Sequence, residues 1–342
     1  MKVNKKVADK LKFALKLVLG LGLVVYVLRS NMVDFAALGE VVFRPSNLVL
    51  SLVAYTLMTV VIVARWHLLV QAQGLSLSFK ELFSLTMIGN FFNTFMPGSV
   101  GGDLIKAWYV AGQEPKRKTK AIFTVLLDRV IGLTIIVFSA AATLLFFNEW
   151  LVGRPELRVL AYALWSFTGA TILFGGLFFL STRFRIPQVS RLMELLKGVK
   201  FVGKILDALL LYRNEVPTVL KSVLFSALNV LLLSSLWAIH GMAMGIEITL
   251  AQYFFIVPVG LTVSAIPLLP GGIGVGQVAF FTLFSWLGVK NPEQGGTLCT
   301  LLQVHLILFN CLGAYFYLRF KSSRPVKELA TGCVPESKLY SV

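Results

Sequence analysis

The stretch NFFNTFMPGSVGGDLIKAWYV, residues 90–110, interrupts an apolar segment with one proline and three glycines. The apolar segment runs from 82 to 112, and its last part, 103–112, is too short to cross a bilayer, which takes about 20 residues. Residues 71–81 and the basic stretch 113–120 are both expected on the cytoplasmic side. We therefore predict a re-entrant hairpin, which is tolerated at depth only where protein or trapped water surrounds it.

The composition places most of the chain in a membrane. Of its 342 residues, 57% are hydrophobic and 14% are charged, against about 25% charged in an ordinary soluble domain. These values exclude a soluble domain, a disordered chain, a coiled coil and a secreted disulfide scaffold. Cys299, Cys311 and Cys333 form no disulfide framework. We expect an all-α integral membrane protein, a polytopic helical bundle.

Apolar runs long enough to cross a bilayer are separated by polar connections. Full spans are predicted at 13–28, 47–70, 121–147, 159–181, 219–240 and 298–319. A second broken segment, 251–288, has a Pro/Gly run at its centre. Each of its arms is long enough to span, so a hairpin and two full spans fit it equally well.

Lysine and arginine are concentrated at the N-terminus, at 98–120, at 182–217 and in the tail, and the formal net charge is +16. In a membrane protein such loops lie against anionic lipid on the cytoplasmic side. We expect a multi-pass protein of the inner membrane with both termini cytoplasmic and no nucleic-acid partner. A single domain, 1–330, is followed by a cytoplasmic tail, 331–342.

The proline–glycine break occurs twice. PGSVG at 97–101 and PGGIG at 270–274 are 173 residues apart, and the same offset relates the spans around them. This predicts two pseudo-repeats, 47–147 and 219–319, joined by the span 159–181, whose single crossing inverts the second half. Broken segments at matching positions of inverted halves are typical of a transporter binding site.

Asp103 begins the returning half of the first hairpin. It either caps the free amides of that helix or accompanies a phosphate that Gly101 and Gly102 allow to approach the helix start. Lys106, one turn further along the helix, either faces the same phosphate position or lies at the membrane–water interface.

Asp128 and Arg129 lie about eight residues into a span, where ionised side chains are costly and indicate function by default. Because neighbours on a helix point about 100° apart, the two need not pair with each other. Arg129 can reach Asp103 or a substrate phosphate, or the charges form a structural ion pair.

Other polar residues of the spans are weaker candidates. Asn90 and Asn93 share one helix face and either line a cavity or bond neighbouring helices. Arg65, with Trp66, is expected to anchor the end of its span at the interface, with head-group binding as the alternative for Arg65. Gln277 offers a polar contact beside the second glycine run. The histidines have no ligand spacing, so neither a metal site nor a cofactor is expected.

The hairpin stretch, together with AIFTVLLDRVIGL at 121–133, LLPGGIGVGQVAFF at 268–281 and ARWHLL at 64–69, resembles the lysylphosphatidylglycerol synthase transmembrane-region family. This is the flippase-like domain of bacterial multiple-peptide-resistance proteins, and the resemblance covers about 10–320. Positions in the family's signature stretches are Pro97, Gly98, Gly101, Gly102, Asp103, Asp128, Arg129, Pro270, Gly271, Gly272 and Gly274. An acidic residue is common in the family where this chain has Gln277, so no carboxylate mechanism is carried over to that position.

The resemblance implies a protein that moves lipids between leaflets. Its full-length relatives also carry a soluble aminoacyltransferase domain, which we do not expect in this chain. We expect a flippase for an anionic or aminoacylated phospholipid or a polyprenyl-phosphate-linked lipid. Two alternatives stay open: a membrane-embedded lipid-modifying enzyme, and a non-catalytic partner of a separate lipid synthase or glycosyltransferase. The proline–glycine runs and Gln277 are expected to act as structural or gating elements.

Overall fold

The computed structural model describes residues 32–95, 101–113, 117–184, 210–264 and 272–322, together with residues 27, 29 and 203. All of the regular structure in these ranges is helical, which confirms the all-α polytopic class. The predicted span 13–28, apart from Val27, and the tail 331–342 lie outside the described residues. Pro97, Gly98, Pro270 and Gly271 also lie outside them.

Ten α-helices follow one another along the described ranges. They are α1 Phe35–Val41, α2 Pro45–Ala72, α3 Phe79–Phe95, α4 Gly101–Gln113, α5 Lys118–Phe146, α6 Pro155–Phe184, α7 Val216–Ala243, α8 Leu250–Ser264, α9 Val275–Trp286 and α10 Glu293–Ser322. A 3-10 turn, Asn148–Leu151, connects α5 to α6.

Five of the predicted full spans are confirmed as long apolar helices. α2, α5, α6, α7 and α10 are each long and apolar enough to cross a membrane. Their ends lie a few residues beyond the predicted boundaries, except that α5 ends at Phe146, one residue before the predicted 147. Many side chains that face outward from the middle of these helices are apolar, including Leu224, Leu228 and Leu231 on α7, as is typical of a helix in contact with hydrocarbon.

The two broken segments each form a pair of short helices. α3 and α4 have 17 and 13 residues, and α8 and α9 have 15 and 12. At about 1.5 Å per residue, each is shorter than the roughly 30 Å hydrocarbon core. Whether 251–288 forms a hairpin or two full spans stays open, because residues 265–271, between α8 and α9, lie outside the described residues. The return of each segment to the same membrane face stays a prediction.

Packing contacts in the first half of the bundle have counterparts in the second. α3 packs on α10, and the corresponding helix α8 packs on α5. The contact of α3 with α4 corresponds to that of α8 with α9, and the contact of α4 with α5 corresponds to that of α9 with α10. These matching contacts are typical of a repeated fold, and the inversion of the second half stays a prediction.

The central contact between the halves is made by α2 and α7, which run antiparallel. Near one end Arg65 of α2 donates to the Ser226 hydroxyl of α7, and near the other end Ser51 of α2 bonds His240 of α7. Ser222, Ser226 and Ser234 are buried and lie one or two turns apart on α7. Small residues at such spacing let helix backbones approach closely within a membrane.

Candidate functional site

A buried ion pair joins α2 to α5. The Arg65 Nε donates to Asp128 Oδ1 at 2.7 Å, and its Nη1 donates to Ser226 Oγ at 2.8 Å. Arg65 is only 6% exposed. The prediction that Arg65 anchors the span at the interface is therefore wrong: its guanidinium is turned inward, because Asp128 lies on the facing side of α5.

Trp66 does not anchor the interface either, since its side chain is fully buried. Its indole Nε1 donates to Thr124 Oγ1 at 3.1 Å, and Lys106 Nζ lies 4.4 Å from its ring centroid. An ammonium at this distance is attracted by the ring quadrupole. Lys106 is thereby held inside the bundle, with 6% exposure, rather than extended to the interface.

The second ion pair joins Arg129 of α5 to Asp103 of α4. α4 begins at Gly101, two residues earlier than the predicted start, so Asp103 lies within the first turn instead of before it. The sequence left open whether Arg129 pairs with Asp103 or with a substrate phosphate, and the pairing with Asp103 is the one observed. This pair is more open than the Arg65–Asp128 pair, with side-chain exposures of 31% for Arg129 and 18% for Asp103.

Gly102 allows α4 to approach α3 closely. A Cβ atom on Gly102 would lie 1.9 Å from the Gly89 carbonyl oxygen, a distance that no side chain can occupy. The Gly102 amide donates to Asn93 Oδ1 at 2.7 Å. The amide is therefore directed at α3, and the glycine serves the contact between the two arms of the segment.

Taken together, the cluster of Arg65, Lys106, Arg129, Asp103 and Asp128 holds three cations and two carboxylates. Its formal charge is therefore one positive unit, within the bundle. Among the described residues no carboxylate forms a salt bridge with Lys106, and net charge at membrane depth is costly, so this arrangement favours an anion beside it.

A cavity of about 360 Å³ opens between the two halves. Its lining comes from α2, α3, α7, α8 and α10, and comprises Tyr55, Met58, Thr59, Ile62, Asn90, Asn93, Asn229, Leu233, Trp237, Leu261, Leu302, Gln303, Leu306, Phe309 and Asn310. We call it the central cavity. It places both asparagines predicted from the first hairpin on one wall.

Carboxamide side chains give the central cavity its polar character. Asn310 donates from Nδ2 to Thr94 Oγ1 at 2.8 Å, while its Oδ1 is buried and has no hydrogen-bond partner among the described residues. Asn229 Oδ1 is likewise buried and has no hydrogen-bond partner among the described residues. Buried amide oxygens without partners are costly, and they are ready acceptors for the hydroxyl or amine of a ligand.

Gln277 connects the second broken segment to α10. Its Oε1 accepts from the Gly274 amide at 2.7 Å, and its Nε2 donates to Gln303 Oε1 at 2.8 Å and to Thr300 Oγ1 at 3.1 Å. Gly274 has a φ of +83°, which other residues rarely adopt. Gln277 thus fixes the turn before α9 and reaches the wall of the central cavity through Gln303.

Residues 13–313 match the family described as lysylphosphatidylglycerol synthase TM region. The chain belongs to this family. A UPF0104 membrane protein of Methanocaldococcus jannaschii is 24% identical over 271 residues, which cover 78% of this chain and 76% of the relative. A UPF0104 membrane protein of Pyrococcus horikoshii is 22% identical over 264 residues, covering 71% and 78%. The match confirms the resemblance and places the ion pairs and the central cavity inside the family's region.

Sequence reasoning missed several residues that the structure brings to this site. Asn229, Gln303 and Asn310 line the central cavity from α7 and α10, and Ser226 supports Arg65. Amides within apolar spans are themselves a signal of function. That signal was available for Asn229 and Asn310, but their meeting with Asn90 and Asn93 depends on how the helices are rotated.

Proposed function

We propose that the protein moves a lipid between the leaflets of the cytoplasmic membrane, with the head group passing through the central cavity. The cargo is an anionic or aminoacylated phospholipid or a polyprenyl-phosphate-linked lipid. The observation that supports this most directly is an amide-lined cavity that adjoins a cluster of net positive charge inside an otherwise apolar bundle.

The cavity and the charged cluster are joined through α3. Asn93 lines the cavity and accepts the amide of Gly102, next to Asp103. Asn90 lines the cavity and follows Gly89, whose Cα faces the Lys106 side chain. A phosphate placed near Lys106 would thus have the rest of its head group against the amides, which donate and accept hydrogen bonds without adding charge.

The position of the cavity suits alternating exposure. Its walls come from α2 and α3 of the first half and from α7, α8 and α10 of the second. A movement of one half against the other would open it toward either leaflet, as in transporters built from inverted halves. The basic end of the bundle, which bears Lys118 and Lys120, faces the cytoplasm in this proposal, with its cations against anionic lipid.

The ion pairs favour transport over catalysis. A lipid-modifying enzyme needs a nucleophile or an acid–base pair, for which the sequence offered Asp103 and Asp128. Both carboxylates are engaged, by Arg129 and Arg65 respectively, which holds them as charged partners. A non-catalytic partner of a glycosyltransferase would show no activity of its own in vesicles.

Reconstituted vesicles test the proposal. The purified protein is inserted into vesicles of neutral lipid with trace fluorescent phosphatidylglycerol, and dithionite quenching reports how fast the inner-leaflet probe becomes accessible. We expect the protein to accelerate exchange, and Asn90→Ala or Asn310→Leu to slow it roughly tenfold or more, since loss of one or two hydrogen bonds is worth about 1–3 kcal/mol.

Asn291→Ala is the matched control, because Asn291 is exposed in the turn between α9 and α10. It is expected to retain the wild-type rate. If vesicles with folded wild-type protein exchange the probe no faster than protein-free vesicles, the transport proposal is refuted. Release of a modified lipid by the purified protein alone would favour the enzyme instead.

A further inference from the structure

Three buried side chains form a hydrogen-bonded chain at the end of the bundle opposite Arg65. Ser51 Oγ of α2 lies 2.7 Å from His240 Nε2 of α7 and 2.8 Å from His305 Nδ1 of α10. His305 Nε2 lies 2.7 Å from the Val42 carbonyl oxygen. The three side chains are at most 1% exposed. None of them lines the central cavity or belongs to the charged cluster.

The direction of each hydrogen bond follows from the one fixed acceptor. A carbonyl oxygen only accepts, so His305 Nε2 carries a hydrogen. A neutral His305 therefore accepts at Nδ1 from the Ser51 hydroxyl, whose oxygen in turn accepts from His240 Nε2–H. This leaves His240 Nδ1 without a hydrogen, and that buried nitrogen has no hydrogen-bond partner among the described residues. The network has room for one more proton.

The network lies between two cavities. Tyr55, Leu302 and Trp237, each about one turn from one of its members, line the central cavity. On the other side, Val41 and Ala243 line an outer cavity of about 260 Å³. Asp34, Glu40 and Arg44 also line that outer cavity and are exposed. The three side chains therefore lie between the outer cavity and the central cavity.

The groups that face the network within the bundle are uncharged. The Tyr55 hydroxyl donates to the Leu302 carbonyl, and Tyr253 of α8 places its hydroxyl against Gly241, beside His240. Cys299, on the same helix as His305, is buried. Charged residues on the packed elements lie away from the network: Glu247 is exposed after α7, and Glu293 is half-buried at the start of α10. Arg65 is 14 residues along α2 from Ser51 and is paired with Asp128. The imidazoles are thus the bases of this region.

We propose that His240, Ser51 and His305 form a single site that takes up one proton from the side of the outer cavity, holds it between the two imidazoles and releases it to the same side. The proton comes from water in the outer cavity and binds His240 Nδ1. The ring centroids of the two histidines are 5.8 Å apart, so a charge on one ring opposes a charge on the other. The pair therefore binds one proton. This inference goes beyond the movement of lipid, because a bound proton is an ion that a transporter can use.

Transfer through the network is balanced atom by atom. Protonated His240 gives its Nε2 hydrogen to Ser51 Oγ, while the original Ser51 hydrogen moves to His305 Nδ1. His240 ends neutral with hydrogen on Nδ1, and His305 becomes the cation. The Ser51 hydroxyl then points to His240 instead of His305. Since Ser51 belongs to α2 and the imidazoles to α7 and α10, each transfer reverses hydrogen bonds between the two predicted halves.

Nitrogen NMR of histidine in the wild-type protein tests this directly. The chain contains three histidines, His67, His240 and His305, so protein labelled with 15N-histidine in lipid nanodiscs gives three ring signals. As the pH is lowered from neutral to the lowest value at which the protein stays folded, we expect His240 and His305 to share one proton, with the nitrogen shifts of both rings changing at one common midpoint. The measurement needs no lipid cargo, so its outcome is independent of the transport proposal.

Two variants sharpen the test. In Ser51→Ala, which removes the bridge, the common midpoint is expected to disappear, so that acid shifts the nitrogens of His240 without those of His305. His67→Gln is the control, since His67 packs on Phe79 away from the network, and it is expected to leave both signals unchanged. Two separate protonations in the wild type, or no proton uptake by either buried ring over this range, would overturn the proposal.

Discussion

Arg65 and Asp128 pair at 2.7 Å across 63 residues of chain, with both side chains less than one tenth exposed. A buried ion pair contributes little net stability, but removal of one partner leaves the other charge without compensation. This asymmetry makes the pair a sensitive probe of the interior.

Asp128→Asn is expected to destabilise the protein by about 3–5 kcal/mol, because Arg65 is left as an uncompensated buried charge. Thermal unfolding in detergent, followed by near-UV circular dichroism, measures the change. The double variant Arg65→Met with Asp128→Leu is expected to recover most of the loss. Glu156→Gln, at an exposed position at the start of α6, serves as the control, and an equal loss in that variant would contradict the explanation.

Gly102→Ala is expected to destabilise the contact of α3 with α4, since the added Cβ meets the Gly89 carbonyl at 1.9 Å. Overpacking of this kind costs about 1–3 kcal/mol. Gly112 lies in the same helix, and a Cβ there meets no atom within 4 Å. Gly112→Ala should therefore be neutral or raise stability by up to about 1 kcal/mol. The difference between the unfolding midpoints of the Gly102 and Gly112 variants measures the effect of the close contact between α3 and α4. Similar midpoints would contradict the explanation.

Lys106→Met tests the charge of the cluster through the cargo. The variant keeps a long side chain against Trp66 but lowers the formal charge of the cluster to zero. Exchange of fluorescent phosphatidylglycerol in vesicles is expected to slow at least about tenfold, because a charge-assisted hydrogen bond is worth about 1.5–3 kcal/mol. Lys290→Met, at an exposed position before α10, should behave as wild type. Unchanged exchange in the Lys106 variant would remove Lys106 from the proposed site.

Cysteine accessibility tests the hairpin. In a variant without native cysteines, Lys80→Cys and Lys118→Cys flank the first broken segment at exposed positions, and Val152→Cys lies 79% exposed between α5 and α6. A membrane-impermeant maleimide added to one side of oriented vesicles is expected to label positions 80 and 118 together and position 152 from the other side. Labelling of 80 and 118 from opposite sides would show that the segment crosses the membrane.

The spans were predictable because their signal is local: some 20 consecutive apolar residues are visible without knowledge of the fold. The ion pair of Arg129 with Asp103 could be foreseen as one option, since Asp103 follows the break and Arg129 lies in the next predicted span. The pair of Arg65 with Asp128 could not, because nothing local in either span states how the two helices are rotated. Trp66 was misplaced for a related reason: a tryptophan near the end of a span is typical of the interface, and burial by Lys106 and Thr124 depends on α4 and α5.

The three buried serines of α7 have a mechanical consequence for the bundle. A serine side chain has only two heavy atoms, so at these three positions α7 presents no large side chain that would have to leave a hole when neighbouring helices slide past it. The seam is thus suited to shear, in which packed helices move by small steps without repacking their cores. Polar attachments between α2 and α7 lie toward its two ends, at Arg65 and at His240, and in our proposals these are the places where a bound anion or a proton would act.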